Sequence, residues 1–320
     1  MAFDTPTPIS ATAATPNATP PAPSWAMRLR MTRPGFLAVT AAACALGLAS
    51  AALHAPLKLP QALLTVVLAL VAHAGANVLN DYHDARNGAD AANHSGLFPF
   101  SGGSRLIQNG AVSVDDTGRW AAWLLLGLIP AGLLLAAWSG AGLVLIGAAG
   151  LFLGWAYSAP PLVLMSRGLG ELAVAGAWWL VVLGTDYVQR GAFAQMPALL
   201  AVSYALLIAN ILLINGVPDA PADASVGKRT LVVRLGARGT ALLYLLLALL
   251  AHGGLALMAL GQTVPHGALW GLLTLPLSLT AALLLWQRTS TPTRLRPAIG
   301  LSIAAAVLHG LLTGAGLVWG

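Results

Sequence analysis

Asn77-Val-Leu-Asn-Asp-Tyr-His-Asp-Ala-Arg-Asn-Gly-Ala-Asp90 closes an apolar run that begins near residue 60. Its three carboxylates stand out because the whole chain of 320 residues holds only ten Asp and Glu. Two more, Asp219 and Asp223, fall in Asn215-Gly-Val-Pro-Asp-Ala-Pro-Ala-Asp223, at the end of a second apolar run. A carboxylate at the centre of a membrane helix costs roughly 2.5–3.5 kcal/mol on insertion scales, so acids at membrane depth mark function. Paired Asp clusters suit a hard divalent cation. Mg²⁺ takes one or two carboxylates and completes its shell with water and substrate phosphate oxygens. The two clusters therefore point to diphosphate chemistry at a bilayer surface.

Working outward, the composition agrees with a membrane setting. Charged residues make up 8% of the chain and apolar ones 58%, against about 25% charged in soluble domains. The expected fold class is all-α: a polytopic bundle of about nine transmembrane helices around a central cavity. Apolar runs near the ~20-residue spanning length fall at roughly 35–53, 60–79, 119–138, 141–159, 169–188, 197–215, 238–261, 266–286 and 298–319. Residues 1–24 are rich in Ala, Thr and Pro and lack a basic segment followed by an apolar core. They read as a disordered tail rather than a signal peptide, leaving 25–320 as the membrane domain. Trp25 to Met31, with Arg28 and Arg30, suits the interface before the first span.

Basic residues set the expected orientation. Of the sixteen Lys and Arg, all but Lys58 and Arg190 fall in the N-terminal segment, in alternate loops or at adjoining helix ends. The positive-inside rule then places the N-terminus and both Asp clusters on the cytoplasmic side of the inner membrane. The net charge of +6 belongs to one face, near anionic lipid headgroups, and is no argument for nucleic acid. Cys44 is the one cysteine, so neither a disulfide nor a Cys-based metal site is possible within a single chain.

The two clusters form a weak internal repeat. Asn77-x-x-x-Asp81 and Asn215-x-x-x-Asp219 lie four spans apart, each followed by a polar loop with basic residues. This arrangement puts both on the same side and lets them face each other across a cavity. His73, Asn77, Asp81 and Asp84 are spaced to share one helix face. Asp90 follows Gly88, where the helix should break, and Pro218 and Pro221 suggest a bent or partly unwound end around Asp219.

Each candidate has an ordinary reading beside the functional one. A single Asp at a helix end is usually just solvated; five in two Asn-x-x-x-Asp frames read as a site. Asn77 and Asn215 either cap the helices or orient the carboxylates and bind metal. Gly227-Lys-Arg-Thr-Leu-Val-Val-Arg-Leu-Gly236 is either a topology-setting loop or the place where Lys228 and Arg229 contact diphosphate. Ser101-Gly-Gly-Ser-Arg105 is either a flexible loop or a set of backbone N–H groups for a phosphate. Tyr157, in Tyr157-Ser-Ala-Pro-Pro161, is an interfacial aromatic or lines the cavity. Glu171 suits a first helical turn. His73 reads as a satisfied bundle-interior histidine on the Asp face, with cavity lining open. Trp178, Trp179 and Tyr187 read as packing or interface residues.

Together these motifs resemble the UbiA superfamily of intramembrane aromatic prenyltransferases. The resemblance rests on Asn-Asp-x-x-Asp at 80–84 with Asp90, Tyr-Ser-x-Pro-Pro at 157–161 and Gly-Leu-Gly-Glu at 168–171. It also rests on Asp-x-x-x-Asp at 219–223 with the Gly-Lys-Arg-Thr-Leu segment behind it, and on Arg33-Pro34. Within the superfamily, the Asp90 spacing and Leu183-Gly-Thr-Asp-Tyr-Val-Gln189 are most similar to the 1,4-dihydroxy-2-naphthoate (menaquinone) branch. Phe98-Pro-Phe-Ser-Gly-Gly-Ser and Asp186 depart from it, and both departures bear on the acceptor. The resemblance implies Mg²⁺ held by Asp81, Asp84, Asp90, Asp219 and Asp223. It implies a polyprenyl diphosphate bound with help from Asn77, Asn80, Asn215, Lys228, Arg229, Arg105 and Arg33, an aromatic acceptor, and Tyr157 beside an allylic cation. Other acceptors (4-hydroxybenzoate, homogentisate), a diphosphate phosphatase and a cation-coupled transporter remain as alternatives. The transporter would hold its acids nearer the bilayer midplane.

Overall fold

In this protein, helix ends are set by side chains that the sequence places at the edges of apolar runs. The computed structural model describes residues 22–94, 96–98 and 100–320. The Ala/Thr/Pro-rich tail lies outside them except for its last three residues. Ser24, the last of these, caps helix α1 (Trp25–Met31), its hydroxyl accepting from the Met27 N–H at 3.3 Å. After a left-handed residue at Arg33, α2 runs over Leu37–Ala52. Helix α3 (Leu59–Asn87) carries Pro60 in its first turn, where no N–H is needed. It stops at Gly88, whose φ of +84° suits a residue without Cβ. The short α4 (Ala89–Ala92) follows. Helix α5 (Val114–Ser139) is capped by Ser113 and has Asp115 and Asp116 in its first turn, where carboxylates suit the helix dipole.

The rest of the bundle is α6 (Gly142–Ser158), α7 (Gly170–Arg190), α8 (Gln195–Ser225) and α9 (Leu231–Leu260), followed by α10 (Leu275–Gln287) and α11 (Arg296–Trp319). A 3₁₀ segment, His266–Thr274, leads into α10. Among the described residues, eight helical segments are long and apolar enough to cross a membrane, and α6 is a shorter apolar helix. Together they match the nine expected spans.

Two boundaries differ from the apolar runs. Helices α3 and α8 continue past residues 79 and 215, to Asn87 and Ser225. Asp81 and Asp84, and Asp219 and Asp223, therefore sit on helix extensions beyond the apolar stretch, while Asp90 lies on α4. The end around Asp219 is not unwound: α8 is helical through Pro218 and Pro221. An interior proline costs about 3 kcal/mol in an isolated helix; here Val217, Pro218 and Ala222 are buried, and that packing offsets the lost hydrogen bonds.

Small residues let the helices approach closely. A Cβ on Gly267 would lie 1.9 Å from the Gly316 carbonyl, so the 3₁₀ segment and α11 touch backbone to backbone, as membrane interfaces favour. Large apolar side chains such as Leu63, Trp123, Leu145, Leu172 and Leu257 are exposed on the outer surface, where lipid is their natural neighbour. Deep in the bundle, His309 bonds Ser203 at 2.7 Å and Thr274 at 3.2 Å, and His252 bonds Thr274 at 3.0 Å. This chain ties α8, α9, α11 and the 3₁₀ segment together.

The two ends of the bundle carry different charges. At one end, Lys58 N–H donates to Gln189 Oε1 at 2.7 Å and Arg190 pairs with Asp186 at 2.8 Å. That puts Lys58 and Arg190 together, away from the Asp clusters, as their isolation in the sequence requires. Asp186 is thus a helix-end ion-pair partner. At the other end, Trp120 Nε1 donates to the Arg28 carbonyl at 3.3 Å, and the Arg28 guanidinium lies 5.1 Å from the Trp120 ring. An odd number of spans predicts that reporter domains fused at the two termini report on opposite sides of the membrane. Reporters on the same side would require one apolar segment to fail to cross, α6 being the one below full spanning length.

Candidate active site

The first carboxylate cluster is built by the last turns of α3. His73, Asn77, Asn80 and Asp84 line a cavity of about 240 Å³. The cavity face is thus 73/77/80/84, with Asp81 one step around the helix from the shared face expected for it. The Asp81 carboxylate turns toward the loop after α4. Its Oδ2 accepts from Ser104 N–H at 3.0 Å, while its Oδ1 is buried without a hydrogen-bond partner. Asp84 is oriented by Asn80 and Asn87, each donating at 3.1 Å. The break at Gly88 folds Asp90 back against the cluster, where it is only 4% exposed.

Across the cavity, α8 supplies the second cluster. Asp219 accepts from Asn93 Nδ2 at 2.6 Å and from Gly102 N–H at 3.0 Å. Between the clusters stands Lys228, whose ammonium is 3.0 Å from Asp84 Oδ1 and 3.0 Å from Asp223 Oδ1. Burial opposes its charge, but the two carboxylates outweigh that and hold its pKa above the usual lysine range. Asp90 behaves oppositely. Burial, reinforced by the nearby Asp84 and Asp81 charges, pushes its pKa up to about 8, against the pull of Lys228 and Arg33.

The glycine loop has a different target from the expected one. Its backbone N–H groups at 102 and 104 donate to Asp219 and Asp81 and so bridge the clusters. Gly103 must be glycine on two counts: its φ is +72°, and a Cβ there would lie 2.7 Å from Asp90 Oδ2 and 3.1 Å from Asp81 Oδ1.

Several candidate binding residues also find other partners. Arg105, expected at the diphosphate, donates to the backbone carbonyls of Asp90 and Asn93 and lies 4.9 Å over the Phe98 ring. It braces the loop, because its own left-handed backbone turns it back onto α4. Arg229 is exposed, its backbone N–H tied to the Ser166 carbonyl at 3.1 Å. Asn77 does not orient a carboxylate; its amide donates to the Thr32 carbonyl at 3.0 Å and fastens the N-terminal segment to α3. Asn215 lines the cavity with a buried, unpartnered Oδ1. Arg33 lines it too, donating to the Phe100 carbonyl at 3.3 Å. Tyr157 and Glu171 are in the wall.

Sequence reasoning passed over Asn93, a lone loop asparagine with no motif around it. It also assigned Trp178 to packing, whereas this ring lines the cavity; the only available signal was its place one helical turn after Val174 and two after Gly170.

Among the described residues, no three His, Cys, Asp or Glu side chains converge as a ready-made metal cage. The donors nevertheless fit Mg²⁺. They are carboxylates arranged in pairs, one has an unpartnered buried oxygen, and a lysine ammonium occupies the point between Asp84 and Asp223 where positive charge is needed. Mg²⁺ asks for one or two carboxylates and draws its other ligands from water and phosphate.

Comparison with known proteins decides the family. The profile of the UbiA prenyltransferase family matches residues 37–311. This chain belongs to that family. Its curated relatives in the UbiA family include a 1,4-dihydroxy-2-naphthoate octaprenyltransferase of Escherichia coli (strain K12), 30% identical over 89% of this chain and 92% of the relative. The protein of the same name from Mycobacterium tuberculosis (strain ATCC 25618 / H37Rv) is 34% identical over 69% of this chain and 73% of its own. Among solved structures, a UbiA homolog from Aeropyrum pernix K1 has a TM-score of 0.65 at 19% identity, covering 89% of this chain and 97% of that one. A UbiA homolog from Archaeoglobus fulgidus bound to GPP and Mg²⁺ has a TM-score of 0.60 at 18% identity, covering 90% and 99%. At such identities these structures speak for the shared UbiA fold.

The Asp90 environment has a measurable consequence in metal-free protein. The folded chain holds the Asp90 proton up to about pH 8, whereas an unfolded aspartate releases it near ~3.9. A raised acid pKa contributes stability that is full below the unfolded value and lost as pH rises through the folded one. With EDTA present, the wild-type melting temperature should therefore fall between about pH 5 and about pH 8 more steeply than that of Asp90→Asn. Parallel pH profiles for the two proteins would contradict this assignment.

Proposed function

We propose that this protein transfers a polyprenyl group from polyprenyl diphosphate to an aromatic acceptor within the membrane, in a Mg²⁺-dependent reaction, and that the acceptor is 1,4-dihydroxy-2-naphthoate or a related quinone precursor. The observation that carries this is the meeting of two carboxylate clusters, one from each half of the chain, around one buried lysine at the mouth of a largely apolar cavity. Relatives at 30–34% identity that carry the naphthoate transferase name support the choice of acceptor. The catalytic domain is residues 25–320, with 1–24 as a tail. The basic end of the bundle faces the cytoplasm across the inner membrane.

Asp81, Asp84, Asp90, Asp219 and Asp223 would hold the metal. When bound, Mg²⁺ supplies Lewis-acid neutralisation of the charge that builds on the departing diphosphate. The chain's own residues do the rest. Lys228 turns part of its hydrogen bonding from Asp84 and Asp223 to a diphosphate oxygen. Gly102 and Ser104 keep the outer carboxylate oxygens of Asp219 and Asp81 fixed. The C–O bond of the prenyl diphosphate breaks with its electron pair leaving on the diphosphate. The Tyr157 ring in the cavity wall stabilises the allylic cation through its π face, and the acceptor ring supplies the pair for the new C–C bond. The attacked ring carbon then sheds its own substituent, a proton or a carboxylate as CO₂, leaving that bond's electron pair to restore the aromatic ring. Walls built from Phe36, Val39, Leu153, Val174, Ile208 and Ile211 limit water that would quench the cation. The cavity is smaller than the roughly 300–1,000 Å³ of pockets for drug-sized ligands, so a long prenyl tail runs out between helices into lipid.

Asp81→Ala or Asp219→Ala should abolish prenyl transfer while the protein still inserts, and EDTA should do the same to wild type; transfer that survives chelation would refute the mechanism. The lysine is tested against a topology residue. Charge-assisted contacts to phosphate are worth roughly 1.5–3 kcal/mol, so Lys228→Ala should lower kcat/KM for the prenyl diphosphate by about 10- to 150-fold. The exposed Arg238 lies beyond the cavity wall, and Arg238→Ala should change that ratio little at equal insertion. Equal small effects at both positions would leave the 227–236 segment as a topology signal.

A further inference from the structure

Below the carboxylates the cavity wall is mostly apolar. His73 is one of the few polar groups there, with the Trp178 indole beside it, and the diphosphate chemistry does not explain its place. His73 lies on the cavity face of α3, eight residues before Asp81, or about 12 Å along the helix axis. Its ring is fixed on two sides. Nδ1 is 2.9 Å from Thr40 Oγ1, on α2, and the ring meets Trp178 of α7 edge to face, with centroids 4.8 Å apart and planes at 84°. Among the described residues, neither the His73 nor the Thr40 side chain makes another hydrogen bond.

The surroundings of that bond assign the tautomer. Threonine inside a helix ordinarily donates its hydroxyl to the carbonyl one turn back; Thr40 has no such bond and is 1% exposed. A buried hydroxyl proton left unpaired is costly, so it goes to Nδ1. The neutral ring then carries its own proton on Nε2. Nε2 is left without a protein partner, on a residue that lines the cavity among Phe36, Val39 and Val174.

We infer that His73 is the anchor of the acceptor subsite, its Nε2–H donating to an oxygen substituent, hydroxyl or carboxylate, of the acceptor's aromatic ring, with Trp178 and Thr40 setting the orientation of the imidazole. This rests on the prenyl-transfer reading and adds the acceptor's binding determinant to it. The spacing suits the chemistry: the 12 Å or so between His73 and Asp81 leaves room for the reacting prenyl carbon below the diphosphate and one ring system below that. The chemical class follows from the wall. An apolar ring without oxygen would leave Nε2–H unpaired, and sites built around such a donor discriminate strongly against ligands that cannot accept from it. His73 is a binding and positioning residue; no bond is made or broken on it.

The test uses the full-length protein in detergent or lipid with Mg²⁺, geranylgeranyl diphosphate and a panel of 1,4-dihydroxy-2-naphthoate, 4-hydroxybenzoate and homogentisate, taking whichever ring the wild type prenylates. His73→Phe keeps the ring packing on Trp178 and removes the donor. It should raise the acceptor KM by about 10- to 150-fold, the range for a hydrogen bond to a charged group, with the KM for the diphosphate and the Mg²⁺ requirement unchanged. His73→Gln, whose amide nitrogen reaches the Nε2 position, should recover part of the loss. Thr40→Val, which frees the tautomer, should show a smaller rise in acceptor KM. An unchanged acceptor KM in His73→Phe overturns the proposal while leaving prenyl transfer intact. So does a loss that falls equally on both substrates and is not rescued by Gln, since that marks a packing role. Failure of the wild type to prenylate any ring in the panel overturns the prenyl-transfer reading itself, and this proposal with it.

Discussion

A single buried ammonium holds the site together. Lys228 touches one carboxylate from each half of the chain, Asp84 and Asp223, in a region where isolated charges are expensive. Five aspartates near one another at the edge of a membrane would repel strongly without compensation, and the raised pKa of Asp90 records that repulsion together with its burial. Breaking a buried pair by removing one partner costs far more than the pair itself contributes. The ends of α3 and α8 are therefore tied by the same residue that is placed to meet a substrate's phosphate. Structure and chemistry share this lysine, which stands in the cluster as a resident cation.

Around that pair, the polypeptide fixes the remaining carboxylates with neutral donors. Asn80 and Asn87 orient Asp84; Asn93 and Gly102 hold Asp219; Ser104 holds Asp81. Neutral N–H donors steer carboxylates without cancelling their charge, so the cluster keeps its attraction for a divalent cation. The loop can reach both clusters because Gly102 and Gly103 adopt left-handed backbone and Gly103 has no Cβ to collide with Asp81 and Asp90. Arg105, bound to carbonyls of α4 and the segment after it, closes this loop from behind. Arg105, in the loop after the first cluster, thus serves architecture, and Lys228, five residues beyond the second cluster, serves the site.

The cavity separates two kinds of chemistry along its depth. Its mouth is ionic and suits a metal–diphosphate pair. Its interior is mostly apolar, with the imidazole of His73 and the indole of Trp178 among its few polar groups, and suits a hydrophobic chain and an aromatic ring. Away from it, the His252–Thr274–His309–Ser203 chain satisfies its polar groups internally and links four segments, which is what keeps buried polar side chains affordable in a lipid-surrounded bundle.

Much of this was legible in the linear chain. Apolar runs near the spanning length, the one-sided distribution of Lys and Arg, and the repeated Asn-x-x-x-Asp frames are local properties, because a membrane helix satisfies its own backbone and is selected by hydropathy alone. From them came the nine helices, the polarity of the bundle and the five aspartates. Spacing could not say which way each side chain turned. Asp81 turns from the cavity to a loop N–H, Asn77 to the Thr32 carbonyl and Arg105 to α4, while Asn93, a residue with no motif, reaches Asp219 more than a hundred positions away. Nor could it show that α8 stays helical through two prolines, or that Trp178 and His73 meet in the cavity wall. Each of those outcomes is a competition for a partner among groups distant in sequence, and only the packed bundle brings the competitors within hydrogen-bonding reach.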